Sequence, residues 1–130
     1  MKYLIDTDWL IDHLNGVKKV RVKLEELAYG GLSISIVSLA EVYEGIFYSR
    51  DPRRSENSLK SFLPGISVLN INEGICRIFG KERGKLRKQG LIIGDLDLII
   101  ASTCLYYDLT ILSNNISHFE RIENLKIISI

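Results

Sequence analysis

The chain has 130 residues, of which 46% are hydrophobic and 25% are charged, and its formal net charge is +1 at pH 7. This length and composition are typical of one globular domain and exclude a disordered or fibrous chain. The net charge creates no overall field that attracts a nucleic acid or an anionic membrane, so local charge has to supply any such contact.

Cys76 and Cys104 are the only cysteines, and they form no Cys-x-x-Cys motif. We expect both to be small buried hydrophobic residues in a reducing compartment rather than disulfide or zinc partners. No apolar run is long enough to span a bilayer, and Asp6 comes too early for the apolar region of a signal peptide. These features predict a cytoplasmic protein with no membrane association.

The first half of the chain predicts two strands, each followed by helices. The apolar run Tyr3–Ile5 predicts a buried strand, and the alternation from Leu32 to Ile36 predicts a second strand. Apolar residues at helical spacing, separated by breaker residues, predict helices over residues 9–14, 17–29, 38–48 and 55–63.

The second half continues this alternation. Asn72 is a suitable N-cap for a long helix that ends near Gln89, before Gly90, and a mostly apolar helix follows Asp97 as far as Tyr107. Strands are predicted over residues 66–71, 109–112 and 126–130, and a short helix or turn over 116–122. We therefore predict one α/β domain over residues 1–130, with a parallel sheet of four to five strands and helices on both faces.

Acidic and amide side chains follow several predicted strands or begin the next helix. They are Asp6, Asp8, Glu41, Asp95, Asp97, Asn114 and Asn115. Because ligands of parallel sheets bind outside the carboxyl ends of the strands, we expect these side chains to meet at one edge of the sheet.

Such a cluster favours a bound cation. Two carboxylates 4 Å apart repel each other by roughly 4 kcal/mol at an effective dielectric constant of 20, so three or four stay ionised together only around a cation. Oxygen ligands without histidine or thiolate suit magnesium or manganese. The cluster therefore indicates metal-dependent phosphoryl chemistry, in which a metal-activated water attacks a phosphodiester.

Each acid also has a purely structural interpretation. Asp8 and Asp97 are suitable helix N-caps, and Ser38 with Glu41 matches the Ser-x-x-Glu capping box. Asp6 fits an ordinary turn at the end of a strand. Under this interpretation the chain is a generic α/β domain whose acids bind no metal.

Four segments carry a resemblance that spans nearly the whole chain. They read LIDTDWLI at residues 4–11, SLAEVYEG at 38–45, DLIIAST at 97–103 and LTILSNN at 109–115, and FERI at 119–122 follows them. In order and spacing they resemble the PIN-domain nucleases and, within that family, the VapC-type toxins of type II toxin–antitoxin systems.

The resemblance implies a Mg²⁺- or Mn²⁺-dependent endoribonuclease that forms a homodimer and is neutralised by a cognate antitoxin protein. It implies that Asp6, Glu41 and Asp97 are catalytic, and that Asp6 and Asp97 bind the metal. Four further residues are candidates for assisting roles: Asp95, Asn115, Thr7 and Ser113.

The fourth segment departs from the commonest family pattern. Asn115 matches the asparagine form, whereas His118 stands where many relatives carry Asp or Glu before the phenylalanine. An asparagine carbonyl can still bind metal or orient a water, so we expect one magnesium ion rather than two.

An RNA substrate requires positive charge near the acids. Arg83, Lys85 and Arg87 on the long predicted helix are our candidates for contacts with RNA phosphates, and Arg50, Arg53 and Arg54 form a second basic cluster. A solvated helix face explains the same residues without RNA.

Two other functions remain open at this point. An apolar strand that ends in Asp6-Thr7-Asp8 is also the nucleophile pattern of haloacid-dehalogenase-like phosphatases, a family in which Glu41 has no role. The departures in the fourth segment also allow a PIN-like module that binds RNA or a partner without cutting.

Overall fold

Five short strands form one parallel sheet, and the computed structural model describes all 130 residues. The strands are β1 (Tyr3–Ile5), β2 (Leu32–Ser35), β3 (Ser67–Leu69), β4 (Thr110–Leu112) and β5 (Ile127–Ile128). Their order in the sheet is β3-β2-β1-β4-β5, and every neighbouring pair is parallel. The predicted α/β class with a parallel sheet is confirmed.

Helices connect the strands. They are α1 (Thr7–Leu14), α2 (Lys18–Leu27), α3 (Ile36–Phe47), α4 (Pro52–Phe62), α5 (Glu73–Lys88), α6 (Asp95–Tyr107) and α7 (Ile116–Phe119). A 3-10 turn over Ala28–Gly30 follows α2. None of these helices combines the length and the hydropathy that crossing a lipid bilayer requires.

The sheet separates two hydrophobic cores. Ile5 of β1 packs with the helices α1 to α4, whereas its neighbour Leu4 packs with α5, α6 and α7. Adjacent side chains on a strand point to opposite faces, so a central strand covered on both sides has to be apolar throughout. Both side chains are completely buried, which explains the uninterrupted apolar run that precedes Asp6.

The predicted capping box is wrong, because α3 begins earlier than its sequence indicates. The helix starts at Ile36 directly after β2, and the side chain of Ser35 accepts a hydrogen bond from the Val37 N–H. Ser38 therefore lies inside the helix, and Glu41 is too far from the helix end to cap it. Ile36 continues the period-two pattern of β2 in sequence, so the pattern alone predicts a strand that is one residue longer.

The two other predicted acidic N-caps are also wrong. Asp6 rather than Asp8 occupies the N-cap position of α1, and Gly94 rather than Asp97 occupies that of α6. Asp8 and Asp97 lie in the first turns of their helices, and the carboxylate of each also contacts a residue that follows β4.

Smaller differences follow from local chemistry. The helix α4 begins at Pro52 because Asp51 accepts a hydrogen bond from the Arg54 N–H, and proline lacks the N–H that a first turn leaves unpaired. The expected burial of both cysteines holds only for Cys104, since Cys76 is exposed on α5. The predicted cap at Asn72 is confirmed, because its side chain accepts a hydrogen bond from the Ile75 N–H.

Candidate functional site

An open pocket of about 500 Å³ lies at the carboxyl ends of β1 and β4. The strand order reverses at β1, and such a switch point is where open α/β sheets bind ligands. Residues from α1, α3, α6 and the loop after β4 line the pocket: Asp6, Thr7, Asp8, Ile11, Glu41, Asp97, Asn114 and Asn115. The structure thus brings together the three acids that the resemblance implied to be catalytic.

Asp6 is the buried carboxylate of the pocket, with only 4% of the residue exposed. The Ser113 hydroxyl donates a hydrogen bond of 2.7 Å to Asp6 Oδ2. The pKa of Asp6 is raised to about 7; burial is the largest cause, the hydrogen bond from Ser113 opposes the rise, and the charges of Asp8 and Asp97 contribute to it. An ionised Asp6 is therefore costly in the protein alone, and a nearby cation would remove that cost.

Asp8 links α1 to the loop after β4. Its Oδ2 accepts a hydrogen bond of 3.0 Å from the Asn114 N–H, and its Oδ1 accepts one of 2.7 Å from the Trp9 N–H. The Trp9 indole N–H donates to Asn114 Oδ1 at 3.2 Å. Burial raises the pKa of Asp8, and the two backbone hydrogen bonds oppose that rise. The sequence places Asp8 in the acidic cluster or at a helix cap, but no sequence signal pairs it with Asn114, 106 positions away.

Thr7 and Glu41 connect α1 to α3 on another side of the pocket. Thr7 Oγ1 donates a hydrogen bond of 2.7 Å to Glu41 Oε1 and lies 2.9 Å from Ser38 Oγ. Glu41 is therefore held by a neighbouring helix instead of by the end of its own helix.

Asp97 is in contact with two residues that follow β4. His118 Nδ1 lies 3.2 Å from Asp97 Oδ2 and 2.9 Å from Asn115 Nδ2. Asn115 Nδ2 also lies 3.5 Å from Asp97 Oδ2. The three side chains form a compact cluster at the start of α6 and α7.

Asp95, predicted to assist, does not line the pocket. It is exposed and forms an ion pair of 2.5 Å with Arg83, whose second guanidinium nitrogen donates to the Ile93 carbonyl at 2.8 Å. The pair fastens α5 to the beginning of α6.

The three predicted RNA-binding residues have different surroundings. Arg83 is engaged as just described, and Lys85 lies 3.6 Å from Glu82 and 3.5 Å from Glu123. Arg87 is exposed and has no acidic partner within ion-pair distance. Of these three residues, only Arg87 has a charged group without an acidic or hydrogen-bonding partner in the protein.

The residues of the pocket fit a hard divalent cation. The carboxylates of Asp6, Glu41 and Asp97 carry oxygen atoms of the kind that such a cation prefers, and the burial of Asp6 beside other negative charges favours a cation there. No three acidic, histidine or cysteine side chains form a closed set of metal ligands. Magnesium does not require a closed set, because it commonly keeps several waters and uses one or two carboxylates.

Comparison with known proteins gives the family. The model of the PIN domain matches residues 3–125. Ribonuclease VapC2 of Rickettsia felis is 32% identical over 127 residues, which are 96% of this chain and 95% of the relative. Ribonuclease VapC1 of Methanocaldococcus jannaschii is 37% identical over 122 residues, which are 94% of this chain and 82% of the relative.

The same family appears among solved structures. The crystal structure of VapBC2 from Rickettsia felis, bound to a DNA fragment from their promoter, contains a chain that matches this fold with a TM-score of 0.93. That match has 30% sequence identity and covers 100% of this chain and 99% of the other. The chain therefore belongs to the PIN-domain family and, within it, to the VapC ribonucleases.

Proposed function

We propose that this VapC-family protein is the toxin of a type II toxin–antitoxin pair, and that it hydrolyses RNA phosphodiester bonds with Mg²⁺ or Mn²⁺ bound at Asp6 and Asp97. The observation that carries the proposal is the pocket shared by Asp6, Glu41 and Asp97, which come from three separate segments of the chain. In a ribonuclease family, such a set of oxygen ligands is suited to a divalent cation beside a phosphate.

The cation, when bound, lowers the pKa of a water and stabilises the negative charge that develops on the phosphate. Asp6 is held in the pocket by Ser113, and Asp97 is held by the cluster at the start of α7. Glu41, oriented by the Thr7 hydroxyl, accepts a proton from the attacking water. Ser113 and Thr7 thus act by orienting the two carboxylates that they contact.

RNA binding requires cations that the protein has not already neutralised. Arg87 meets this condition, and the exposed basic cluster of Arg50, Arg53 and Arg54 supplies further positive charge. Arg83 and Lys85 already have acidic neighbours, so we assign them a smaller share of phosphate binding. Contacts of this kind make RNA binding weaker as the salt concentration rises.

The partners follow from the same family. The Rickettsia felis structure is a VapBC complex, which supports an antitoxin protein as the partner of this chain. We further propose that the protein forms a homodimer, as the family resemblance implies. We also propose that it is located in the cytoplasm, where an RNA substrate is accessible.

The direct test is cleavage of a structured RNA pool by the purified protein with Mg²⁺, Mn²⁺ or EDTA. We expect cleavage with either metal, none with EDTA, and none by Asp97→Asn. Asp95→Asn is the matched control, because it removes a charge of the same type two residues away but outside the pocket. We expect this control to cut RNA as the wild type does.

Mn²⁺ binding, measured by electron paramagnetic resonance, separates the remaining outcomes. Folded protein that binds Mn²⁺ but cuts no RNA would be a PIN-like binding module, contrary to the proposal. If the folded protein binds no Mn²⁺, the acids have only a structural role, contrary to the proposal.

A further inference from the structure

His118 touches two residues of the candidate site without lining the pocket itself. Its Nδ1 lies 3.2 Å from Asp97 Oδ2 and 2.9 Å from Asn115 Nδ2, whereas its Nε2 has no hydrogen-bond partner within the chain. Only one ring nitrogen is therefore used, and it is directed at the cluster that holds Asp97.

The short helix that carries His118 is anchored in the core. His118 lies on α7, one residue before Phe119, which is completely buried in the core beneath α5 and α6. Phe119 thus anchors the short helix, while 41% of the His118 side chain remains exposed. The anchored helix and the two contacts of Nδ1 together place the ring beside Asp97 and Asn115.

Contact at Oδ2 limits how the Asp97 carboxylate can rotate. A carboxylate that is held at one oxygen presents the other oxygen in a defined direction, which lowers the entropic cost of binding a cation. Loss of such an outer hydrogen bond typically lowers metal affinity by about 10- to 100-fold.

We propose that His118 is a positioning residue whose Nδ1 fixes the Asp97 carboxylate for the divalent cation. This inference rests on the proposed function, because it assumes that Asp97 binds the metal. His118 does not bind the metal or RNA; it acts through Asp97, with Asn115 as the third member of the cluster.

Two amide substitutions test which ring nitrogen matters. In His118→Asn an amide atom takes the place of Nδ1, whereas in His118→Gln the amide reaches the place of Nε2. We expect His118→Ala and His118→Gln to weaken Mn²⁺ binding by about 10-fold or more, and His118→Asn to stay within about threefold of the wild type. Mn²⁺ affinity is measured by electron paramagnetic resonance, with Asp97→Asn as the reference for a lost ligand.

Two further measurements exclude a merely structural role. Because the His118 side chain is partly exposed, we expect each variant to unfold in EDTA at nearly the same urea concentration as the wild type. At a metal concentration that does not saturate the site, kcat for RNA cleavage should fall in His118→Ala while KM for RNA stays constant. Restoration of kcat by excess Mn²⁺ would support the same conclusion.

Several results would overturn the inference. Mn²⁺ affinity of His118→Ala equal to that of the wild type would remove any role for His118. Rescue by His118→Gln but not by His118→Asn would make Nε2 a direct ligand instead. In both cases Asp97→Asn would still lose Mn²⁺, so the proposed function would stand. Wild-type protein that binds no Mn²⁺ would overturn both proposals together.

Discussion

The Ser113 hydroxyl donates a hydrogen bond of 2.7 Å to Asp6 Oδ2 across 107 positions of sequence, and so joins the end of β4 to the end of β1. The backbone makes the same connection, because the Asp6 N–H donates to the Leu112 carbonyl at 3.0 Å. Asp6 is thus held at its backbone and at its side chain by one neighbouring strand. The buried carboxylate of the pocket is therefore placed by the sheet rather than by a mobile loop.

Ser113→Ala should weaken both the fold and the cation site. The variant leaves Asp6 Oδ2 without its donor, which costs about 1–2 kcal/mol of unfolding free energy. The pKa of Asp6 should then rise above about 7, because the Ser113 hydrogen bond no longer opposes burial. Urea unfolding in EDTA and Mn²⁺ titration at pH 7 measure the two effects. Ser117→Ala, at an exposed position of α7, is the control; equal Mn²⁺ affinities in all three proteins would contradict the prediction.

The metal-free protein should lose stability as the pH rises from about 4 to about 7. The pKa of Asp6 is about 7 in the folded chain, against an ordinary value of 3.8. In this window the unfolded chain has released the proton and the folded chain retains it, so the free energy of unfolding falls with pH, by roughly 2–4 kcal/mol over the window. Urea unfolding in EDTA at a series of pH values measures the slope.

Asp6→Asn isolates this contribution, because it removes the titrating group. Burial lowers the pKa of His13 below its ordinary 6.5. Just below pH 6.5 this group therefore makes the free energy of unfolding rise with pH, which opposes the effect of Asp6. The contribution of His13 is the same in both proteins, so it cancels when the free energy of unfolding of Asp6→Asn is subtracted from that of the wild type at each pH. Parallel stability curves for the two proteins would refute the assignment to Asp6. Since the cation competes with the proton, Mn²⁺ affinity of the wild type should increase through the same window.

Thr7→Val should reduce RNA cleavage while leaving Mn²⁺ affinity nearly unchanged. The substitution keeps the shape of the side chain but removes the hydroxyl that donates to Glu41 Oε1. Because Glu41 is assigned to the proton rather than to the metal, we expect kcat to fall by about 10-fold. Single-turnover cleavage at saturating Mn²⁺ is the measurement. Thr110→Val in β4 is the control; it loses no side-chain hydrogen bond and should leave kcat unchanged. If Thr7→Val lowers Mn²⁺ affinity, Glu41 binds the metal, contrary to this assignment.

Two arginines on α5 should separate stability from RNA binding. Arg83→Gln removes the bond to the Ile93 carbonyl and the pair with the exposed Asp95, and should lower the free energy of unfolding by about 1–2 kcal/mol, mostly through the carbonyl. Arg87→Gln should leave unfolding unchanged but weaken RNA binding and reduce its dependence on salt.

Binding of RNA to a catalytically inactive Asp97→Asn background, measured at several salt concentrations, tests this separation. If the RNA affinity of Arg87→Gln depends on salt concentration as strongly as that of the unchanged protein, RNA does not contact this end of α5. If Arg83→Gln changes RNA binding without changing stability, Arg83 contacts the substrate after all.

The fold and the gathering of the acids could be predicted because both follow from one rule. Strand and helix alternate along the chain, so the sheet is parallel, and the carboxyl ends of parallel strands meet at one edge. Asp6, Glu41 and Asp97 therefore share a pocket although they are far apart in sequence. The phosphatase alternative based on Asp6 and Asp8 is wrong, since the chain belongs to the PIN-domain family.

The details that could not be predicted depend on where each helix begins. Asp95 and Asp97 look equivalent in sequence, but α6 starts at Asp95 and residues two apart on a helix point about 200° apart. Asp97 consequently faces the pocket while Asp95 faces Arg83. For the same reason the start of α3 at Ile36 turned an expected cap at Glu41 into a partner of Thr7.

The dependence of Asp6 and Asp8 on β4 and its following loop has a consequence for synthesis. Both acids emerge early from the ribosome, but the Ser113 hydroxyl and the Asn114 amide that hold them are translated much later. A nascent chain that stops before β4 therefore carries the acids without an assembled pocket. The site becomes complete only when β4 docks beside β1, so a chain that is only partly synthesised lacks the assembled set of acids.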